Sequence, residues 1–183
     1  LSNGAEVRIG TSIGIAIFPE HGHSTENLLQ HADAALYQSK AEGRNTFRFY
    51  ADEMTLSVRK KIELETKLRN AIERNHLVVY YQPQVHIQTG RIIGAESLVR
   101  WQDGEKGVIG PTEFIPLAEE TGLISAIGAW VLEESCRQGK VWLDAGHRLT
   151  IAVNLSTHQL RHDNIPKLVS DILKKSLKLQ KVR

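Results

Sequence analysis

Glu96, Leu98 and Arg100 alternate along a run of strand-forming residues, so they share one face of a strand while Ser97 and Val99 take the other. A carboxylate and a guanidinium on one face near a strand's C-terminal end can hold a cation and a phosphate side by side; the alternative is an ion pair closing the strand end. Asn154 favours the first, because it also follows an apolar approach to the C-terminal end of a strand. Carboxylate and amide oxygens are hard ligands, suited to Mg²⁺ or Mn²⁺ rather than to zinc. Lys40 and Arg44 lie four apart at a helix end, where the helix dipole alone would favour cations. Of the eight histidines, His21 and His23 are close together and His158 and His162 are spaced i, i+4. Neither pair has a Cys or a third His to complete a metal site, so surface histidines are expected. The single Cys136 can form no internal disulfide, which suggests a reducing compartment, and it reads as a small buried residue on an apolar helix face.

Elements must hold these residues in place. Val7, Ile9, Ile13, Ile15 and Ile17 recur on odd positions and predict a strand over 7–18, ended by Pro19 and Gly22. Ser24 is placed to cap a helix whose stripe of Leu28, Leu29, Ala32, Ala35 and Leu36 closes at Gly43. Phe47 and Phe49 share a face of a second strand over 46–50. Residues 52–75 contain no Pro or Gly and space Leu56, Ile62, Leu64, Leu68 and Ile72 at a helical interval, so one linking helix is expected there rather than a flexible tether. Next, 77–87 and 91–101 are rich in Val, Ile and Tyr, and only Gln88, Thr89 and Gly90 separate them. So short a turn makes an antiparallel hairpin; a parallel crossover does not fit. A polar loop over 102–110, helices over 111–119 and 123–145, a strand over 149–155 and a last helix over 165–177 follow. Trp130 and Trp142 fall on the buried face of the 123–145 helix, while Glu119 and Glu120 are expected to cap or pack at its start. A hairpin followed by alternating helix and strand points to an α/β layer or barrel.

Composition bounds the possibilities. With 41% hydrophobic and 24% charged residues over 183 positions, the chain can bury a core and has no disordered or disulfide-rich bias. It is too short for an eight-unit barrel of about 250 residues. A net charge of +2 excludes the one-sided basicity of a nucleic-acid binder. The longest apolar stretch, 123–132, falls short of the roughly 20 residues that a bilayer crossing needs. With no Met or signal sequence at Leu1, the chain reads as a piece of a longer protein.

Tyr81-Gln82-Pro83, Gly94-Ala95-Glu96-Ser97-Leu98-Val99-Arg100-Trp101, Phe114-Ile115-Pro116-Leu117-Ala118-Glu119-Glu120 and Val153-Asn154-Leu155-Ser156 strongly resemble, in order and spacing, the amino-terminal half of EAL domains. These are phosphodiesterases of the bacterial messenger cyclic di-GMP. Upstream, Thr11-Ser12-Ile13-Gly14-Ile15-Ala16, Ala32-Asp33-Ala34-Ala35-Leu36-Tyr37 and Lys40 through Gly43-Arg44-Asn45 resemble the carboxy-terminal third of a GGDEF domain, the diguanylate cyclase fold. The resemblance implies an α/β chain in three parts: the end of a cyclase-like domain over 1–51, a linker helix over 52–75, and over 76–183 an incomplete TIM-like (β/α) barrel that starts with an antiparallel hairpin.

The same resemblance implies roles for residues. Glu96 and Asn154 match metal ligands, Leu98 and Arg100 match contacts to the dinucleotide, Gln82 lies near it, and Lys40 and Arg44 match phosphate contacts of the cyclase half. Ser97 stands where the motif's name has alanine; facing away from the ligand side, it should be tolerated. The implied reaction of the intact parent is attack of a water activated by Mg²⁺ or Mn²⁺ on one phosphodiester of cyclic di-GMP, giving linear pGpG. Further metal carboxylates and a lysine come in the family from later strands, so the 183 residues alone are expected to be inactive. The rival is a catalytically inactive cyclic di-GMP receptor or a regulatory interaction module. Expected partners are cyclic di-GMP and a second copy through the EAL domain, with no nucleic acid. The expected location is the bacterial cytoplasm, with a membrane anchor only if one lies upstream.

Overall fold

The computed structural model describes residues 9–178. It divides into two compact units, Leu1–Glu63 and Leu64–Arg183. In the first, β1 (Ile13–Ile15) and β2 (Phe47–Phe49) pair in parallel, connected through α1 (Thr25–Ala41). Ser24 Oγ caps the helix by accepting from Asn27 N at 3.2 Å, and Gly43 leaves it with φ +111°, a conformation free of strain only without a Cβ. The strand lies tight against α1, for a Cβ on Gly14 would fall 2.0 Å from the Ala32 carbonyl oxygen. Ala34, Ala35 and Tyr50 form the small core, with Met54 and Val58 against it.

Two expectations for this unit change. The first strand is much shorter than 7–18, because past Ile15 the chain turns and Ile17 and His21 bond to each other: His21 N donates to Ile17 O at 2.7 Å and Ile17 N to His21 Nδ1 at 2.9 Å. Val7 lies outside the described residues. His21 is therefore a structural side chain, and its carbonyl accepts from His31 Nδ1 at 2.6 Å, whose ring stacks on Tyr50 at 3.9 Å. Phe47 and Phe49 do share a face, which is exposed, with their rings edge to face.

In the second unit β3 (Leu77–Val85) and β4 (Ile92–Asp103) form the expected antiparallel hairpin, in register from Leu77 opposite Trp101 to Gln84 opposite Gly94 and shifted by one residue where Val85 meets Ile92. β6 (Thr150–Val153) then joins β4 in parallel, from Gly94 opposite Thr150 to Ser97 opposite Val153. β4 is thus the shared strand, antiparallel to β3 along one edge and parallel to β6 over Gly94–Ser97 on the other. The odd-numbered residues of β4 face the helices: Trp101 is buried with Phe114 and Ala118 of α3 (Pro111–Thr121) and with Ile127 and Val131 of α4 (Ile124–Asp144). Leu68 and Ala71 of α2 (Asp52–Glu73) complete that core. Burying a side chain of the size of Trp101 or Phe114 contributes roughly 1.5–3 kcal/mol. Trp130 packs against the same core, but Trp142 is only half-buried, its ring edge to face with Tyr81 at 4.8 Å.

The predicted loop over 102–110 contains a strand. Asp103 Oδ1 accepts from the backbone N–H groups of Glu105 and Lys106, at 3.0 and 2.8 Å, and Gly107 takes φ +78°. This folds β5 (Gly107–Ile109) back onto Trp101–Asp103. A short helix, α5 (Thr157–His162), was also unmarked by periodicity; it precedes α6 (Ile165–Lys178).

Candidate functional site

Because residues directly opposite in a ladder point the same way, the even-numbered face of β4 gathers Glu96, Leu98 and Arg100 with Gln82, Tyr80 and Val78 of β3. Glu96 is half-buried and Gln82 exposed across from it. Asn154 lies one residue beyond β6, which was predicted to run on to 155, and its Nδ2 donates to Glu96 Oε1 at 2.7 Å. Side chains 58 residues apart thus meet where β6 ends alongside the first half of its parallel neighbour β4, which runs on from Glu96 to Asp103 rather than ending near it as the sequence suggested.

Glu96 pairs with Asn154 rather than with Arg100, so the strand-end ion pair does not form. Arg100 instead donates through Nη1 to the Val99 carbonyl at 2.8 Å, and its Cζ lies 5.7 Å from the Tyr80 ring centre. A guanidinium held over an aromatic face by a carbonyl still has donors to offer an anion. Ser97 points to the helices, where its Oγ accepts from Ser135 Oγ at 2.8 Å, both residues buried.

Glu96 and Asn154 suit a hard cation in type. The Asn154 amide turns its nitrogen to the carboxylate; half a turn about its last bond would present Oδ1 instead and give two oxygens on one side. They do not complete such a site, which takes about six oxygens. Among the described residues no group of three or more His, Cys, Asp or Glu could hold a metal ion.

Beside this face a cavity of about 280 Å³ opens between the sheet end and α3 and α4, with Leu98, Arg100, Asn154, Ile115, Glu119 and Gln159 in its wall. Sequence reasoning missed three members of this neighbourhood. Tyr80 was readable from its alternation with Gln82. Glu119 and Ser156, whose Oγ donates to Glu119 Oε1 at 2.5 Å, meet only in the fold. Lys40 and Arg44 belong to the first unit and both are exposed. Lys40 is in the last turn of α1, whereas Arg44 lies past the helix at φ +62°, not on it. The rings of His158 and His162 lie 4.5 Å apart on α5, tilted by 42°, with His162 exposed as expected and His158 half-buried.

The chain belongs to the EAL domain family, whose profile matches residues 65–182. Residues 1–46 match the family described as diguanylate cyclase, GGDEF domain. It is 46% identical over 169 residues to the bifunctional diguanylate cyclase/cyclic di-GMP phosphodiesterase MucR of Pseudomonas aeruginosa, covering 92% of this chain and 25% of that protein. To the cyclic di-GMP phosphodiesterase PdeR of Escherichia coli it is 41% identical over 168 residues, with 92% of this chain and 25% of that one covered. The chain spans about a quarter of the length of these curated relatives. Among solved structures, the PaMucR phosphodiesterase in complex with c-di-GMP matches with a TM-score of 0.60 at 48% identity, covering 62% of this chain and 47% of that chain. The EAL enzyme Bd1971 in its cGMP-bound form shares the fold, with a TM-score of 0.61 at 22% identity over 86% of this chain and 41% of that one. The second unit is accordingly the opening portion of a TIM-like barrel whose first strand runs antiparallel. Among the described residues no helix is long and apolar enough to cross a membrane.

Proposed function

We propose that the chain is part of a divalent-metal-dependent phosphodiesterase that cleaves cyclic di-GMP to linear pGpG. The observation that carries this reading is the meeting of Glu96 and Asn154 at 2.7 Å on the ligand-facing side of a sheet that also carries Leu98, Arg100 and Gln82. Glu96 and Asn154 would hold Mg²⁺ or Mn²⁺ by one oxygen each. When bound, the cation supplies a deprotonated water at neutral pH and neutralises charge on the phosphoryl oxygens. Arg100, already anchored through one of its nitrogens, offers the others to a phosphate. Leu98 lends an apolar surface for a base, and Gln82 a donor and an acceptor at its edge. The proposed division is a cyclase-like end over 1–51, a linker helix over 52–75, to which α2 (Asp52–Glu73) corresponds, and an EAL portion over 76–183.

The remaining cation ligands and the lysine belong to other parts of the intact protein, so the 183 residues alone do not turn over. Lys40 and Arg44 contact nucleotide phosphates only where a complete cyclase half is present. The intact protein acts in the bacterial cytoplasm and pairs with a second copy through its EAL domain. The test is hydrolysis of cyclic di-GMP with Mg²⁺ or Mn²⁺ by the intact protein, its Glu96→Ala variant and the 183-residue chain. Turnover by the intact protein alone is expected. Binding without turnover would make it a receptor instead, and turnover by the 183 residues would refute the account of an incomplete ligand set.

A further inference from the structure

Asn154 sits in a turn, for β6 ends at Val153 and α5 begins at Thr157. The ladder stops before it, so other contacts must fix its backbone. Ser156 supplies them: its Oγ accepts from His158 N at 3.0 Å, capping α5. The same hydroxyl gives its proton to Glu119 Oε1 of α3 at 2.5 Å. Its backbone N–H donates to Gln159 Oε1 at 3.2 Å. Gln159 is only 1% exposed and lodges against α4 where Gly128 leaves room, since a Cβ on Gly128 would fall 2.1 Å from Gln159 Nε2. With six residues, α5 is too short to stabilise its own first turn by propagation.

We propose that Glu119 is a positioning residue: acting through Ser156, it fixes the turn between β6 and α5 so that the Asn154 amide faces Glu96. With its lone pairs committed to the helix N-terminus and its proton to Glu119, the Ser156 hydroxyl has one orientation. Removing the carboxylate frees that rotor, and with it the cap and the turn two residues upstream. The consequence for activity rests on Glu96 and Asn154 being cation ligands, whereas the positioning is a property of the metal-free protein, so the two can fail separately.

The test uses the intact protein labelled with ¹⁵N-asparagine, without metal, with the Asn154 side-chain amide signals identified by their loss in Asn154→Asp. Glu119→Ala is expected to shift or broaden those signals, and Glu119→Gln, which keeps an acceptor oxygen, to return them to their original positions. In calorimetric titration with Mn²⁺, Glu119→Ala is expected to bind about tenfold more weakly and Glu119→Gln within about threefold of the unaltered protein. If Glu119→Ala does not fold, Glu119→Asp, whose acceptor is withdrawn by one methylene, is expected to move the signals in its place. Asn154 signals unmoved by the loss of the carboxylate, or moved equally by Ala and Gln, would overturn the proposal. Signals that respond as expected in a protein that hydrolyses no cyclic di-GMP would leave the positioning intact and remove the phosphodiesterase reading.

Discussion

Ser97 and Ser135 bond to each other in the core at 2.8 Å, and the pair sets a measurable coupling. Ser97→Ala removes the acceptor of the buried Ser135 hydroxyl and should lower stability by about 1–2 kcal/mol. The double change to alanine should recover most of that loss, and neither should alter hydrolysis by the intact protein, because position 97 faces away from Glu96. Urea denaturation at low protein concentration, set beside the hydrolysis assay, checks both. Burial pushes the Cys136 thiol above its ordinary value. Less thiolate is then present at a given pH, so a thiol reagent should react more slowly with the folded than with the unfolded chain at pH 8. The sign for stability follows: the folded state holds that proton more tightly and loses ground as pH rises through the unfolded thiol's value. The role of position 97 was legible in the alternation of Glu96, Ser97 and Leu98, but its partner was not, because Ser135 lies on a helix where nothing in the sequence marks it.

At the scale of elements, the turn between β4 and β5 depends on Asp103. The backbone N–H groups of Lys106 and Glu105 that donate to its carboxylate hold it below the usual range. Because the folded value is depressed, the turn is fully supported above the ordinary carboxylate value and loses support as pH falls through the folded one. Asp103→Ala should speed amide exchange at Glu105 and Lys106 at neutral pH, and acidification should narrow the difference; hydrogen exchange followed by NMR reads both. This is also where the sequence was least informative. The hairpin could be read from its three-residue separation, and α1, α4 and α6 from apolar stripes long enough to show a period. A three-residue β5 and a six-residue α5 show none, and they form because a side chain caps a turn in each case.

For the whole molecule, apolar strand surface remains open in each unit. Ile13, Phe47 and Phe49 are exposed in the first, and Tyr80, Ile92 and Ile93 in the second. Unpaired, apolar strand surface is a template for association. The 183-residue chain alone should therefore self-associate as its concentration rises, and Phe47→Lys should reduce this in sedimentation velocity runs; a monomer at all concentrations would contradict it. The antiparallel start of the second sheet bears on how such a chain is made. In a barrel that opened with a parallel pair, the first strand would wait on the ribosome for a whole helical crossover before finding a neighbour. Here β3 meets β4 after the turn closed by Gly90, so the contact between Glu96 and Asn154, 58 residues apart, adds to a pairing that closes a far shorter loop.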